Sequence, residues 1–200
     1  MEYTEASKIL DNWFDILNKL KFENTLSKPI ITIASDPKGS CYGWCTTRQM
    51  WHDGEVNRYE INMTAETLNR TVYETVGTLL HEMVHLDNIQ RGIQDCSRGG
   101  TYHNKKFKTA AEEKGLIVEP SQKYGWAHTK LHPDTIEQLK AHGITEKIPL
   151  ARLRIYKDPK ERKSNVRKYV CQSCGCSCRA TKDIYIMCLN CEETMMLETD

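Results

Sequence analysis

The chain has 200 residues, of which 39% are hydrophobic and 28% charged, with a formal net charge of +1. That balance fits one ordinary globular domain plus a smaller module. No apolar run reaches the roughly eighteen residues of a membrane-spanning helix, so no such span and no membrane partner are expected. The net charge hides an uneven distribution. Residues 1–146 carry 17 basic against 20 acidic side chains, residues 147–168 nine against two, and residues 169–200 two against five. The expected organisation is therefore a domain over 1–146, a basic connector over 147–168 and a cysteine-rich module over 169–200.

Taken in order, residues 5–20 carry Ile9, Leu10, Trp13, Phe14, Leu17 and Leu20 at helical spacing, a stripe for core packing. Its opening, MEYTEASKILDNW, lacks the basic start and apolar core of a secretory signal, so a reducing compartment is expected. Pro29 introduces a β-branched strand over 30–33. Residues 41–49 and 56–63 read as two more strands, with Asp53-Gly54 as a hairpin turn signal between them. A strand edge here is suited to pairing with an extended peptide. Cys41, Cys45 and Cys96 read as plain thiols, and His52 adds no convincing metal site.

The strongest signal follows. Thr71 and Glu74 have the spacing of a capping box, and apolar residues recur helically from Val72 to Leu86. Within this helix lies His81-Glu82-Met83-Val84-His85, the pattern H-E-x-x-H. Histidines four apart share one helical face and reach one metal ion, while Glu82 is placed to act as a base on a metal-activated water. Separated from His85 by seventeen residues, after the glycines of a small polar loop, His103 is the expected third ligand; Glu112 and Glu113 are its competitors. The interval is too long for a metzincin. A second helix ends near Gly115, Leu116–Val118 suggests a short strand, and residues 133–142 form a closing helix between Pro133 and Gly143. Tyr124 and His128 belong to an aromatic cluster that reads mainly as packing, with an oxyanion-stabilising donor as the sharper alternative.

The tail holds Cys171-x2-Cys174 and Cys188-x2-Cys191, two pairs thirteen residues apart. Such pairs make a tetrahedral four-sulfur zinc site, and a module of this size needs one to fold. Cys176 and Cys178 compete for the place of Cys174. Arg179–Thr181 and Ile184–Ile186 are expected to form a hairpin, giving a zinc ribbon.

The pattern HEMVH, YHNKKF about twenty residues on, a basic connector and a four-cysteine ribbon resembles the SprT-like zinc metallopeptidases. The resemblance implies an α+β, zincin-like domain with helices packed on a short β-sheet. It implies a catalytic zinc on His81, His85 and His103, with Glu82 as base, and a structural zinc on Cys171, Cys174, Cys188 and Cys191. Asn104 stands where a glycine is common in that family. It further implies a monomeric endopeptidase acting on DNA-associated or DNA-crosslinked proteins and stimulated by DNA, single-stranded or junction-containing. Arg152, Arg154, Lys160, Arg162, Lys163, Arg167 and Lys168 are the candidate nucleic-acid contacts. The implied location is cytoplasmic beside the nucleoid, or nuclear in a eukaryote. A non-catalytic, zinc-dependent nucleic-acid adaptor is the alternative reading.

Overall fold

A computed structural model describes residues 1–36, 39–154 and 166–198. The chain divides into two compact units, Met1–Arg154 and Ile155–Asp200. In the first, α1 (Tyr3–Phe22) buries Leu10, Trp13, Phe14 and Leu17, the stripe expected from the sequence. Its first turn is closed by a capping box between Glu2 and Glu5, and Glu23 ends it in the left-handed conformation.

Five strands follow: β1 (Ile30–Ala34), β2 (Gly43–Cys45), β3 (Trp51–His52), β4 (Asn57–Arg58) and β5 (Glu60–Thr64). The first sheet has the order β1-β5-β2, with β1 parallel and β2 antiparallel to β5, so β2 is an edge. The Asp53-Gly54 turn forms, its Asp53 carboxylate accepting from the N–H groups of Glu55 and Val56. The expected continuous hairpin is broken, however. Thr46 bonds Glu60 and Met50 bonds Arg58, so residues 47–49 face Tyr59 alone and bulge, leaving β3 and β4 as a separate two-residue pair.

Helix α2 (Val72–Gln90) begins with the capping box between Thr71 and Glu74. Leu79, Leu80, Met83, Val84 and Leu86 are fully buried. At about 1.5–3 kcal/mol for each such side chain, their burial far outweighs the cap, which is worth about 1 kcal/mol. The chain then forms β6 (Cys96–Ser97), β7 (Tyr102–His103), α3 (Lys105–Glu113), β8 (Leu116–Ser121), β9 (Gly125–Leu131) and α4 (Pro133–Ala141). The second sheet has the order β6-β7-β9-β8. Helix α2 packs against β2 and β5 of the first sheet and β9 of the second, so its residues reach both. The unit runs past residue 146: Ile148 is fully buried in the same core, and the Arg152 N–H bonds the Ala65 carbonyl. No described helix is long and apolar enough to cross a membrane.

In the second unit, β10 (Arg167–Val170) lies between β11 (Ser177–Ala180) and β14 (Met196–Leu197), while β12 (Met187–Cys188) pairs with β13 (Glu193–Thr194). The expected hairpin between 179–181 and 184–186 is not formed. Strand β11 takes β10 as partner, the Ile184 N–H goes to the Tyr169 hydroxyl, and Tyr185 stands fully in solvent. The molecule is thus a mixed α/β protein of small sheets and four helices among its described residues, with a four-cysteine cluster in its second unit.

Candidate metal centre

His81 and His85 project from one face of α2, and β7 brings His103 to meet them. Their Nε2 atoms lie 3.1–3.2 Å from one another. Nitrogens bound tetrahedrally at the usual zinc distance stand about 3.3 Å apart, so the triangle fits that ion. The remaining ring nitrogens explain the orientation. His85 Nδ1 is 2.7 Å from Asp95 Oδ2, and His81 Nδ1 is 2.9 Å from Thr129 Oγ1 on β9. A carboxylate only accepts, so His85 carries its proton on Nδ1 and turns the lone pair of Nε2 inward. Three imidazole nitrogens at this separation cannot satisfy one another by sharing protons; a cation satisfies all three.

Phe107 of α3 forms the floor, its buried ring 4.5–4.7 Å from each imidazole centroid. Burial holds His81 well below the usual imidazole range and His103 down to about 4. For these two imidazoles burial therefore favours the neutral form that binds metal. Asn104 caps α3 by accepting from the N–H groups of Lys106 and Phe107, and its own N–H bonds the Asp95 carbonyl. A glycine there would forgo the side-chain cap, so Asn104 steadies the turn after His103.

Glu82 lies against the edge strand. Burial pushes its carboxyl up to about 7, the neighbouring His85 ring and the Cys45 N–H pulling the other way and the Asp95 carboxylate adding to the rise. A carboxyl near neutrality takes and returns protons readily. Gly43 permits this closeness, and Gly125 permits another at His103. A Cβ on Gly43 would stand 2.8 Å from the Asn62 carbonyl oxygen and 3.3 Å from Glu82 Cγ. At Gly125, with φ +69°, it would stand 2.2 Å from the His103 carbonyl oxygen.

Asp95, Asn88, Thr129 and Phe107 carried no expectation from the sequence. Asn88 donates to Asp95 at 2.9 Å, completing a chain to His85. The only available signal was an acid in the loop returning from the second histidine to the third, and spacing cannot tell such an acid from a solvated one. The competitors for third ligand are exposed at the end of α3, with Glu112 held 3.6 Å from Lys108. His128 neighbours Thr129 on β9 and so faces away from the imidazoles. Cys41 and Cys45 are partly buried thiols, pushed upward mainly by burial, and His52 is exposed and bonded to Asn57. Cys96 sits beside Asp95, which helps burial raise it to about 12.

In the second unit the sulfurs of Cys171, Cys174, Cys188 and Cys191 lie within 4.8 Å of one another, those of Cys174 and Cys188 being 3.7 Å apart. Thiolates at the usual zinc distance in a tetrahedron stand about 3.8 Å apart. Cys176 and Cys178 lie outside the group. The Cys174 and Ser173 N–H groups draw the Cys171 thiol down to about 7, toward the thiolate a metal needs.

The candidate nucleic-acid contacts are dispersed. Arg152 is 4.0 Å from Glu66, Arg167 is 2.6 Å from Asp183 and Lys168 is 2.8 Å from Glu198. Arg154 closes the first unit, its guanidinium against Gly39. Lys160, Arg162 and Lys163 lie outside the described residues.

A mixed α/β unit presenting three convergent imidazoles beside a buried carboxylate, joined to a four-cysteine module, defines a protein with two candidate metal sites. The SprT-like family model matches residues 10–124, which include His81, Glu82, His85 and His103, and the chain belongs to that family. No curated protein and no solved structure matches it.

Proposed function

We propose that this chain is a zinc-dependent endopeptidase of zincin type that cleaves DNA-associated or DNA-crosslinked proteins. The carrying observation is the triangle of Nε2 atoms at 3.1–3.2 Å with the Glu82 carboxyl buried beside it. His81, His85 and His103 would hold the ion, and Asp95 and Thr129 would fix the first two rings. Zinc bound there supplies Lewis-acid polarisation of the peptide carbonyl and acidifies a water to a pKa of about 7. Glu82 takes the proton of the attacking water on its carboxylate and returns it to the leaving amine nitrogen. The outward edge of β2 holds the substrate backbone extended above Glu82.

Cys171, Cys174, Cys188 and Cys191 would take a structural zinc and hold the small second unit folded. DNA contact falls on Arg154, Lys160, Arg162 and Lys163, with Arg152, Arg167 and Lys168 contributing what their acidic partners leave. The test is cleavage of a DNA-binding protein by the zinc-loaded chain with and without single-stranded DNA. Cleavage that rises with DNA supports the reading. No cleavage under either condition, with tight DNA binding, favours the non-catalytic adaptor instead.

A further inference from the structure

Arg70 stands in the turn that leads into α2. Its Nη2 donates to Thr78 Oγ1 at 2.8 Å and its Nε to the Thr67 carbonyl at 3.0 Å. Its guanidinium carbon lies 4.0 Å from the centroid of the Tyr42 ring. The side chain is partly buried, and burial works against its charge. Arg58, Arg91, Arg152 and Arg167 each have a carboxylate within ion-pair distance; among the described residues Arg70 has none. Glu74, which acts on it only through space, is taken by the cap at Thr71. A partly desolvated guanidinium, fixed by two hydrogen bonds and a ring, is thus left without a directly paired carboxylate.

Its position gives this a use. Thr78, which holds Arg70, is four residues before Glu82 on the same helical face, about 6 Å along the axis. The Cβ position of Gly43 lies 3.1 Å from Thr78 Cγ2 and 3.3 Å from Glu82 Cγ. Tyr42, which flanks the guanidinium, immediately precedes β2. Arg70, Thr78 and Glu82 therefore lie in line along the face of α2 that meets the edge strand. In β2 the bonds Thr46 to Glu60 and Tyr42 to Thr64 turn alternate residues toward β5, which leaves Gly43 and Cys45 on the outer edge, the Cys45 N–H directed at Glu82. A peptide extended there advances about 3.3 Å per residue.

We propose that Arg70 is a specificity-determining residue: its guanidinium receives the carboxylate of an Asp or Glu side chain two or three residues from the scissile bond of an extended peptide. The inference rests on the peptidase reading. Charge complementarity, the fork of free N–H donors and the alignment with Glu82 select this occupant.

The experiment measures peptide binding by fluorescence anisotropy to the zinc-loaded Glu82→Gln chain. A flexible peptide is synthesised with Glu, and in parallel Gln, at each position in turn. At one position Glu should bind about tenfold better than Gln, as a charge-assisted pair implies. That ratio should collapse toward one in the additional variant Arg70→Gln and recover in part in Arg70→Lys, which keeps the charge but not the fork. Equal ratios with and without Arg70, no preference at any position, or a loss confined to single-stranded oligonucleotide binding would each overturn the proposal. Failure of the unmutated chain to cut these peptides would instead count against the peptidase reading, leaving the binding ratios to judge Arg70.

Discussion

Asp95 fixes His85: the carboxylate accepts the Nδ1 proton at 2.7 Å and takes a second bond from buried Asn88 at 2.9 Å. An outer carboxylate of this kind sets both the tautomer and the aim of a metal-binding imidazole. Asp95→Ala should weaken zinc binding about 10–100-fold with the fold retained. Competition against a chromogenic chelator measures it, and an unchanged affinity would remove Asp95 from the account.

Gly125 and Gly92 both sit at positive φ, but only Gly125 is hemmed in. Gly92→Ala should cost about 1 kcal/mol in backbone strain and leave the metal site alone. Gly125→Ala must also push β9 off the His103 carbonyl, costing roughly 2 kcal/mol or more and lowering zinc affinity. Thermal unfolding and metal titration of the pair separate the two effects; equal zinc affinity in both variants would refute the close approach.

The buried imidazoles make the metal-free protein sensitive to acid. His103 titrates near 4 when folded and near 6.5 when unfolded, and His81 is depressed in the same sense. Between those values the unfolded chain binds more protons, so stability falls as pH drops through that window. Glu82, raised to about 7, acts in the opposite direction. Denaturant unfolding of the metal-free Glu82→Gln chain isolates the histidine effect. Its stability should decline from pH 6.5 toward 4, and a flat profile would contradict the burial of neutral imidazoles.

The cysteine module gives a count. Cys171→Ser should remove one equivalent of zinc and unfold the second unit, because the small core around Tyr169 and Met195 is built on Cys171 and Cys188. Cys176→Ser should keep the full metal content, since its sulfur lies outside the cluster. Elemental analysis of both proteins decides it; zinc loss in Cys176→Ser would redraw the ligand set.

What could be read from the chain was local. The capping box at Thr71, the apolar repeat of α2 and the spacing of its two histidines all act within a few turns, and α2 forms where they place it. His103 was legible because the return loop constrains where a third ligand can come from. The pairing of β7 with β9 was not, because it joins residues distant in sequence and β9 carries Trp126 and His128 without clean alternation. With β9 unread, Thr129 could not be placed behind His81 nor Gly125 against His103. The second unit went the same way: cysteine spacing located the cluster, while strand partners depended on Tyr169 reaching Ile184. Arg70 has no motif; its significance lies in the absent carboxylate and the neighbouring edge strand.

The most direct test compares the zinc-loaded chain with Glu82→Gln, measuring bound zinc and cleavage of a DNA-binding protein in the same preparations. Equal zinc at the histidine site is expected, because Glu82 is not among the converging ligands, with loss of cleavage by at least about a hundredfold. Undiminished cleavage by Glu82→Gln would contradict the mechanism.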